Sequence, residues 1–274
     1  MGVINVTPDS FFNGGRYFHR EKAIDRAMKM VELGVEILDL GGESSRPGSE
    51  PVSEKEELQR VLPVLKAIRL RTSCLISIDT TKASVARAAL EEGADIINDI
   101  SAFRADPKMI ELAAASQAGL ILMHMQGTPK TMQIAPFYED VVAEVLAFLK
   151  ERLNWVVKNG IAPERVIIDP GIGFGKRLED NLRLLNELSV FSSLGRPVLV
   201  GVSRKSFIGQ ILNLPPEERL EGTIAAVIIS LVRGASIFRV HDPLEVSRAL
   251  RVAEAILSGR NLSPQATKAV NHVQ

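Results

Sequence analysis

Cysteine is almost absent: Cys74 is the only one in 274 residues. That excludes an internal disulfide and zinc sites built on several thiolates, and it fits a reducing compartment. Cys74 lies in an apolar, strand-like run and reads as a small core residue, not a nucleophile. No apolar run approaches the roughly 18 residues that a membrane-crossing helix needs. The N-terminus lacks a basic segment followed by an apolar one, so no signal peptide is expected. Net charge is missing too. Lys plus Arg equals Asp plus Glu at 33 each, leaving no global field to favour nucleic acid or an anionic membrane. Any anion must be held by local positive groups. The expectation is a soluble, cytoplasmic protein with neither nucleic acid nor membrane as partner.

What is present is ample apolar material, 46% of the chain, cut into short runs. The most telling is Val166-Ile-Ile-Asp-Pro-Gly-Ile-Gly-Phe-Gly-Lys176, an apolar strand pattern ending in an acid, then a tight glycine-rich turn. Its glycines permit positive φ and close approach to a ligand, but they lack the spacing of a dinucleotide fingerprint. Seven further strand patterns are read at 1–6, 36–42, 74–79, 95–99, 120–124, 197–203 and 235–241. Helical spacing falls between them at 20–33, 53–70, 81–92, 107–117, 138–158, 178–190, 204–212 and 222–233, and after them at 242–259. Ser53 with Glu56 forms a capping-box pattern. Thr80 or Thr81 is expected to cap the helix that follows, and Asp242 the last one. Residues 260–274 are polar and patternless and read as a tail.

Eight alternations of strand and helix at this length predict a single-domain α/β chain, a (β/α)₈ TIM barrel over 1–259. An open doubly wound sheet is the competing layout. A barrel places functional side chains at the C-terminal ends of its strands. Those ends carry Asn5, the 43–49 loop, Asp79, Asn98, Met123 with His124, Asp169, Lys205, and Arg239 with His241. Two chemical sets emerge. Asp79, Asn98, Asp169 and Lys205 suit a flat polar heterocycle, as acceptors for ring N–H and NH₂ and a donor for a ring carbonyl. Asn5, Ser45, Arg46, Arg239 and His241 suit an anion or a diphosphate. Lys205 could instead be a Schiff-base lysine. However, it sits just past a strand among polar residues and not in an apolar pocket that would depress its pKa.

The motifs carry a resemblance. Asn5-Val-Thr-Pro-Asp-Ser-Phe11, Gly42-Glu-Ser-Ser-Arg-Pro-Gly48, Ser77-Ile-Asp-Thr80, Ile97-Asn-Asp-Ile100, Leu122-Met-His-Met-Gln-Gly127, Asp169 to Lys176, Gly201-Val-Ser-Arg-Lys-Ser206 and Phe238-Arg-Val-His241 closely resemble the dihydropteroate synthase family, in order, from residue 2 to about 258. The resemblance implies a barrel enzyme of folate biosynthesis, usually dimeric and a sulfonamide target. It would condense 6-hydroxymethyl-7,8-dihydropterin diphosphate with 4-aminobenzoate, giving dihydropteroate and pyrophosphate with Mg²⁺. It further implies that 1–259 is a pterin-binding catalytic domain, with Asp79, Lys205, Arg239 and His241 in catalytic roles. Asp79, Asn98, Asp169 and Lys205 would hold the pterin, and Met123, Gly173, Phe174 and Gly201 would line its pocket. Arg239 would lie over the pterin and reach the diphosphate; His241 and Asn5 would serve the diphosphate, Asn5 by way of Mg²⁺. Ser45, Arg46 and Pro47 would belong to a mobile loop near the aminobenzoate, and Ser203 to its subsite.

Two departures from the family pattern stand out. Ser45 occupies a position where threonine is common. The chain also starts close to Asn5, where family members usually carry a further short segment, so a thinly covered barrel bottom is expected. The implied path is SN1-like, needing no protein nucleophile and matching the lack of a suitable cysteine or Ser–His pair. The loops 7–15 and 44–50 are expected to be mobile without ligand. The alternatives are a corrinoid-dependent methyltransferase, a Schiff-base aldolase and a catalytically silent binding subunit.

Overall fold

The structure, a computed structural model, describes residues 1–7 and 16–259. The 260–274 tail, and Pro8–Gly15 of the first loop, lie outside the described residues. In chain order the elements are β1 (Gly2–Asn5), α1 (Arg16–Glu32), β2 (Ile37–Gly41), α2 (Glu54–Arg69), β3 (Leu75–Asp79), α3 (Ala83–Glu91), β4 (Ile96–Asp99), α4 (Lys108–Ala115) and β5 (Gly119–Met123). There follow α5 (Val141–Lys158), β6 (Val166–Asp169), α6 (Leu178–Asn186), β7 (Leu199–Val200), α7 (Ser206–Leu212), α8 (Leu220–Val232), β8 (Ile237–Phe238) and α9 (Pro243–Ser258).

All pairings are parallel. β1 to β6 form one sheet in sequence order, and β7 pairs with β8. Two bridges, Ile168 to Val198 and Gly2 to Val240, close the ring. The (β/α)₈ barrel is therefore complete, and the open sheet is excluded. β7 and β8 are shorter than the expected 197–203 and 235–241. The ladder still runs on, since Arg239 N–H donates to Val200 and Val240 N–H to Met1.

The period of two in a strand sorts side chains between the barrel interior and the helix shell. Leu38, Leu40, Ile76, Ile78, Ile97, Leu120 and Ile168 face outward into the clusters under the helices. Inside, Ile96, Ile121 and Leu199 pack with Met1, Ile37, Ile167 and Ile237 to fill the lower barrel. Continuing the same inner phase upward gives Asp39, Asp79, Asn98, Asp169 and Arg239. Chain connectivity thus forces the polar residues together above an apolar plug. Among the described residues, no helix is long and apolar enough to cross a membrane.

Two expected caps fail for identifiable reasons. Neither threonine caps α3; its N-cap is Lys82, and the Ala83 N–H is taken by Asp106 from the β4–α4 loop. Asp242 sits at the N-cap of α9, but its carboxylate is occupied by Arg204 at 2.6 and 2.8 Å. The Ser53 cap stands, its hydroxyl accepting from Glu56 N–H.

Candidate active site

The strand ends surround a cleft of about 460 Å³ lined by Ser45, Asp79, Asn98, Met123, Asp169, Phe174, Gly201, Ser203, Lys205, Arg239 and His241. Ile100, Gly171 and Ile172 also line it and were not anticipated. Of the expected residues, Asn5, Arg46, Pro47 and Gly173 stand outside this lining. Asn5 ends β1 in register with Gly41, Arg46 and Pro47 are exposed on the β2–α2 loop, and Gly173 lies behind the Lys205 stem.

At the floor, Arg239 is clamped by two carboxylates. Its Nε donates to Asp39 at 2.6 Å and its Nη2 to Asp79 at 2.8 Å. Asp39 is fully buried and also faces the Asn98 amide nitrogen at 3.3 Å. Burial opposes the charge on Arg239, but Asp39 and Asp79 outweigh it and hold its pKa above the ordinary value. Burial, then the neighbouring Asp39 charge, push Asp79 up to about 7, with Arg239 pulling the other way. Asp39 is hidden in the sequence because it lies within an apolar run, Ile37 to Leu40. The available signal was its phase, since it points inward two residues before Gly41.

Asp169 ends β6 and its Oδ1 accepts the Gly171 N–H at 2.7 Å. Burial raises it to about 6, against that hydrogen bond and the Lys205 and Lys176 charges. It therefore remains mostly ionised at neutral pH and keeps acceptor capacity toward the cleft. Lys205 Nζ lies 4.0 Å over the Phe174 ring. Here the structure corrects the sequence reading: burial, then Arg239, bring Lys205 down to about 8, so its site does depress the pKa.

A second correction concerns the Ser–His pair read as lacking. Ser203 Oγ lies 3.0 Å from His241 Nδ1 and accepts the His241 backbone N–H at 3.2 Å. Burial and the Arg239 and Arg26 charges lower His241 to about 4, so the imidazole is neutral. A base that weak does not activate the hydroxyl; the pair instead fixes the ring.

Lys176 closes the glycine-rich motif and has no site role expected from the sequence. It is buried, and its Nζ meets His124 Nδ1 at 2.9 Å, Gly171 O at 2.9 Å and Phe174 O at 3.0 Å. Burial lowers it to about 7. Among the described residues, no three His, Cys, Asp or Glu groups are arranged to hold a metal ion.

Comparisons with known proteins place the chain in a family. The model of the family described as pterin binding enzyme matches residues 1–241. The dihydropteroate synthase of Escherichia coli strain K12 is 49% identical over 260 residues, 95% of this chain and 92% of that protein. The Xanthomonas albilineans dihydropteroate synthase solved with 4-aminobenzoic acid is 43% identical and superposes with a TM-score of 0.89, covering 94% of this chain and 92% of that one. The same bacterium's enzyme in complex with 7,8-dihydropteroate is 41% identical, with a TM-score of 0.86 and coverage of 94% and 93%.

Proposed function

This chain belongs to the pterin-binding enzymes and, among them, to the dihydropteroate synthases, which are transferases; from that premise we propose that it joins a dihydropterin diphosphate to 4-aminobenzoate by an SN1-like path. The observation that carries the reading is the inner-face set of Asp79, Asn98, Asp169, Lys205 and Arg239 around one cleft. The relatives solved with 4-aminobenzoic acid and with 7,8-dihydropteroate support both substrate and product.

Asp169 would accept the ring N–H and exocyclic NH₂ of the pterin, and Lys205 would donate to the ring carbonyl. Asp79 and Asn98 would face the opposite edge, with Met123, Phe174 and Gly201 as walls. Arg239 is fixed before ligand arrives, so little reorganisation is needed when charge develops on the departing diphosphate. His241, neutral, would donate to that anion through Nε2 in the tautomer that carries its proton there, with Nδ1 accepting from Ser203.

Asn5 fits Mg²⁺ only as one neutral oxygen ligand, which suits an ion that takes most of its ligands from phosphate and water. Such an ion would supply charge neutralisation on the leaving group. The C–O bond of the pterin methylene breaks with its electron pair going to diphosphate. The electron-rich ring stabilises the cation, the arylamine lone pair forms the C–N bond, and the amine proton passes to solvent water. Arg46 and Pro47, on the exposed β2–α2 loop, would close over the aminobenzoate beside Ser45 and Ser203.

The apolar residues exposed on α7 to α9, including Ile211, Ile229, Val232, Val252 and Ile256, support a homodimer through that face. A monomer by sedimentation at micromolar concentration would reject it. The decisive assay is incubation with the pterin diphosphate, 4-aminobenzoate and Mg²⁺, with dihydropteroate detected by mass. Product should form, and both Arg239→Ala and EDTA should suppress it by more than tenfold. Absence of product in the wild type would overturn the reading, and full activity in EDTA would remove the metal from it.

A further inference from the structure

Lys176 has no place in the chemistry above, yet it is among the most deeply buried charged groups of the chain, 3% exposed. Among the described residues, no carboxylate lies within hydrogen-bond distance of its Nζ. Its close partners are two backbone carbonyls and one ring nitrogen, at 2.9 to 3.0 Å, with the His124 carbonyl farther off at 3.5 Å. Below its pKa of about 7 the group is an ammonium, whose three N–H donors match the three close acceptors. For His124 Nδ1 to accept, the ring must carry its proton on Nε2. Burial and the Lys176 and Arg104 charges keep that ring neutral. The Phe148 ring, 4.9 Å away and edge-on, closes the outer side. A buried ammonium is costly, so the cage around it must return that cost through what it holds in place.

What it holds is the pterin wall. The Gly171 carbonyl that Lys176 grips belongs to the residue whose N–H fixes the Asp169 carboxylate at 2.7 Å. The Phe174 carbonyl belongs to the residue whose ring lies beneath Lys205 Nζ. The turn could not be fixed by a bulkier backbone, because a Cβ on Gly171 would sit 1.9 Å from the His124 carbonyl oxygen. One ammonium thus joins the acceptor and the donor that would read opposite features of the heterocycle. Resting on the pterin-binding reading, we infer that Lys176 is a positioning residue for pterin recognition, acting through Gly171 on Asp169 and through Phe174 on Lys205.

The diphosphate groups, Arg239 and His241, hang from β8 and do not touch this cage. That separation sets the test. Calorimetry on the full chain should show that Lys176→Met weakens binding of 6-hydroxymethylpterin by tenfold or more while inorganic pyrophosphate binds within twofold of wild type. In turnover, KM for the pterin diphosphate should rise more than KM for 4-aminobenzoate. Equal losses of both ligands, or an unchanged pterin affinity, would overturn the inference. Because a buried substitution can prevent folding, a wild-type measurement stands beside it. ¹⁵N NMR should find His124 neutral with its proton on Nε2, and its ring signals should move when 6-hydroxymethylpterin binds but not with pyrophosphate alone. A proton on Nδ1, or signals unmoved by the pterin, would refute the cage. A wild-type chain that binds no pterin under any of these conditions would instead remove the reading on which the inference rests.

Discussion

Two loops on the same rim, both rich in glycine and both carrying expected site residues, are built in opposite ways. In the β6–α6 loop several polar backbone groups are tied to side chains, most of them buried. Gly173 N–H donates to Asn181 Oδ1 at 2.6 Å, Gly173 O accepts from Gln133 at 3.0 Å, and Gly175 O accepts the Tyr138 hydroxyl at 2.7 Å. In the β2–α2 loop the base is held by Arg60 on Gly42 O and by Lys82 on Glu43, but over 44–50 the ties are local or exposed. Ser49 Oγ donates back to Ser44 O and Arg46 O, Gly48 N–H reaches Pro129 O, and Lys130 pairs with Glu50 at the surface. The contrast matches two tasks. A planar ring is discriminated by groups that cannot shift, because an unmatched buried polar group costs about 1–3 kcal/mol. A loop that must admit a second substrate needs a low cost of opening.

The largest expected effect tests the rigid side directly. Gly171 has φ of +68° and no room for a Cβ, whereas Gly48 has φ of +78° and open space around it. Left-handed strain alone costs roughly 1–2 kcal/mol. Collision with a fixed carbonyl adds about 1–3 kcal/mol of overpacking. Gly171→Ala should therefore lose about 2–5 kcal/mol in denaturant unfolding and Gly48→Ala about 1–2 kcal/mol. Equal losses would break the comparison.

Next in size is Asp169→Asn. The amide offers donors where two acceptors are needed, so pterin affinity should fall by about 10- to 100-fold, or roughly 1–3 kcal/mol. The pH dependence has a definite sign. The folded-state pKa of about 6 lies above the ordinary carboxylate value. Protonation on going below pH 6 is therefore favoured by folding, and this group's contribution to stability rises as pH falls from about 6 toward 4. Pterin affinity moves the other way, because the ring edge needs the carboxylate. Calorimetric titrations from pH 5 to 8 should show affinity falling through 6 in wild type, on top of any titration of Asp79 near 7. That lower limb should be missing in Asp169→Asn. A wild-type affinity flat from pH 5 to 8 would remove Asp169 from the ring-edge role.

How much of this was legible in the sequence depended on where each partner came from. The alternation of apolar runs placed Asp79, Asn98, Asp169 and Arg239 at strand ends, and the barrel brought them together because period two and parallel order leave no other arrangement. Features that depend on residues distant in sequence were not legible. Asp106 displaced the expected threonine cap of α3, Arg204 occupied the Asp242 carboxylate, and Ser203 met His241 across two strands. Asp39 and Lys176 were missed for one shared reason. A lone charge inside an apolar or glycine-rich run looks like a turn or cap until the fold shows what lies opposite it.

The smallest expected effect concerns the loosely tied loop. The Lys130–Glu50 pair is 61% and 70% exposed, and such pairs contribute between nothing and about 1 kcal/mol. Lys130→Ala should leave global unfolding within about 0.5 kcal/mol of wild type. Its effect should be local, because the pair and the Gly48 to Pro129 hydrogen bond at 3.0 Å are the described ties between this loop and the β5–α5 loop. Hydrogen exchange at residues 44–50 should be fast in the free chain, modestly faster in Lys130→Ala, and slowed only when a pterin and pyrophosphate are both bound. On the proposed function, Arg46 would gain an anionic partner only then. Over the same interval, the amides of Gly171, Gly173 and Phe174 should stay protected in every state, since their acceptors Asp169, Asn181 and Gly171 are buried and do not depend on ligand. Comparable exchange in the two loops of the free chain would show that composition, and not hydrogen-bond wiring, governs the rim, and would dissolve the division between a fixed pterin wall and a closing aminobenzoate lid.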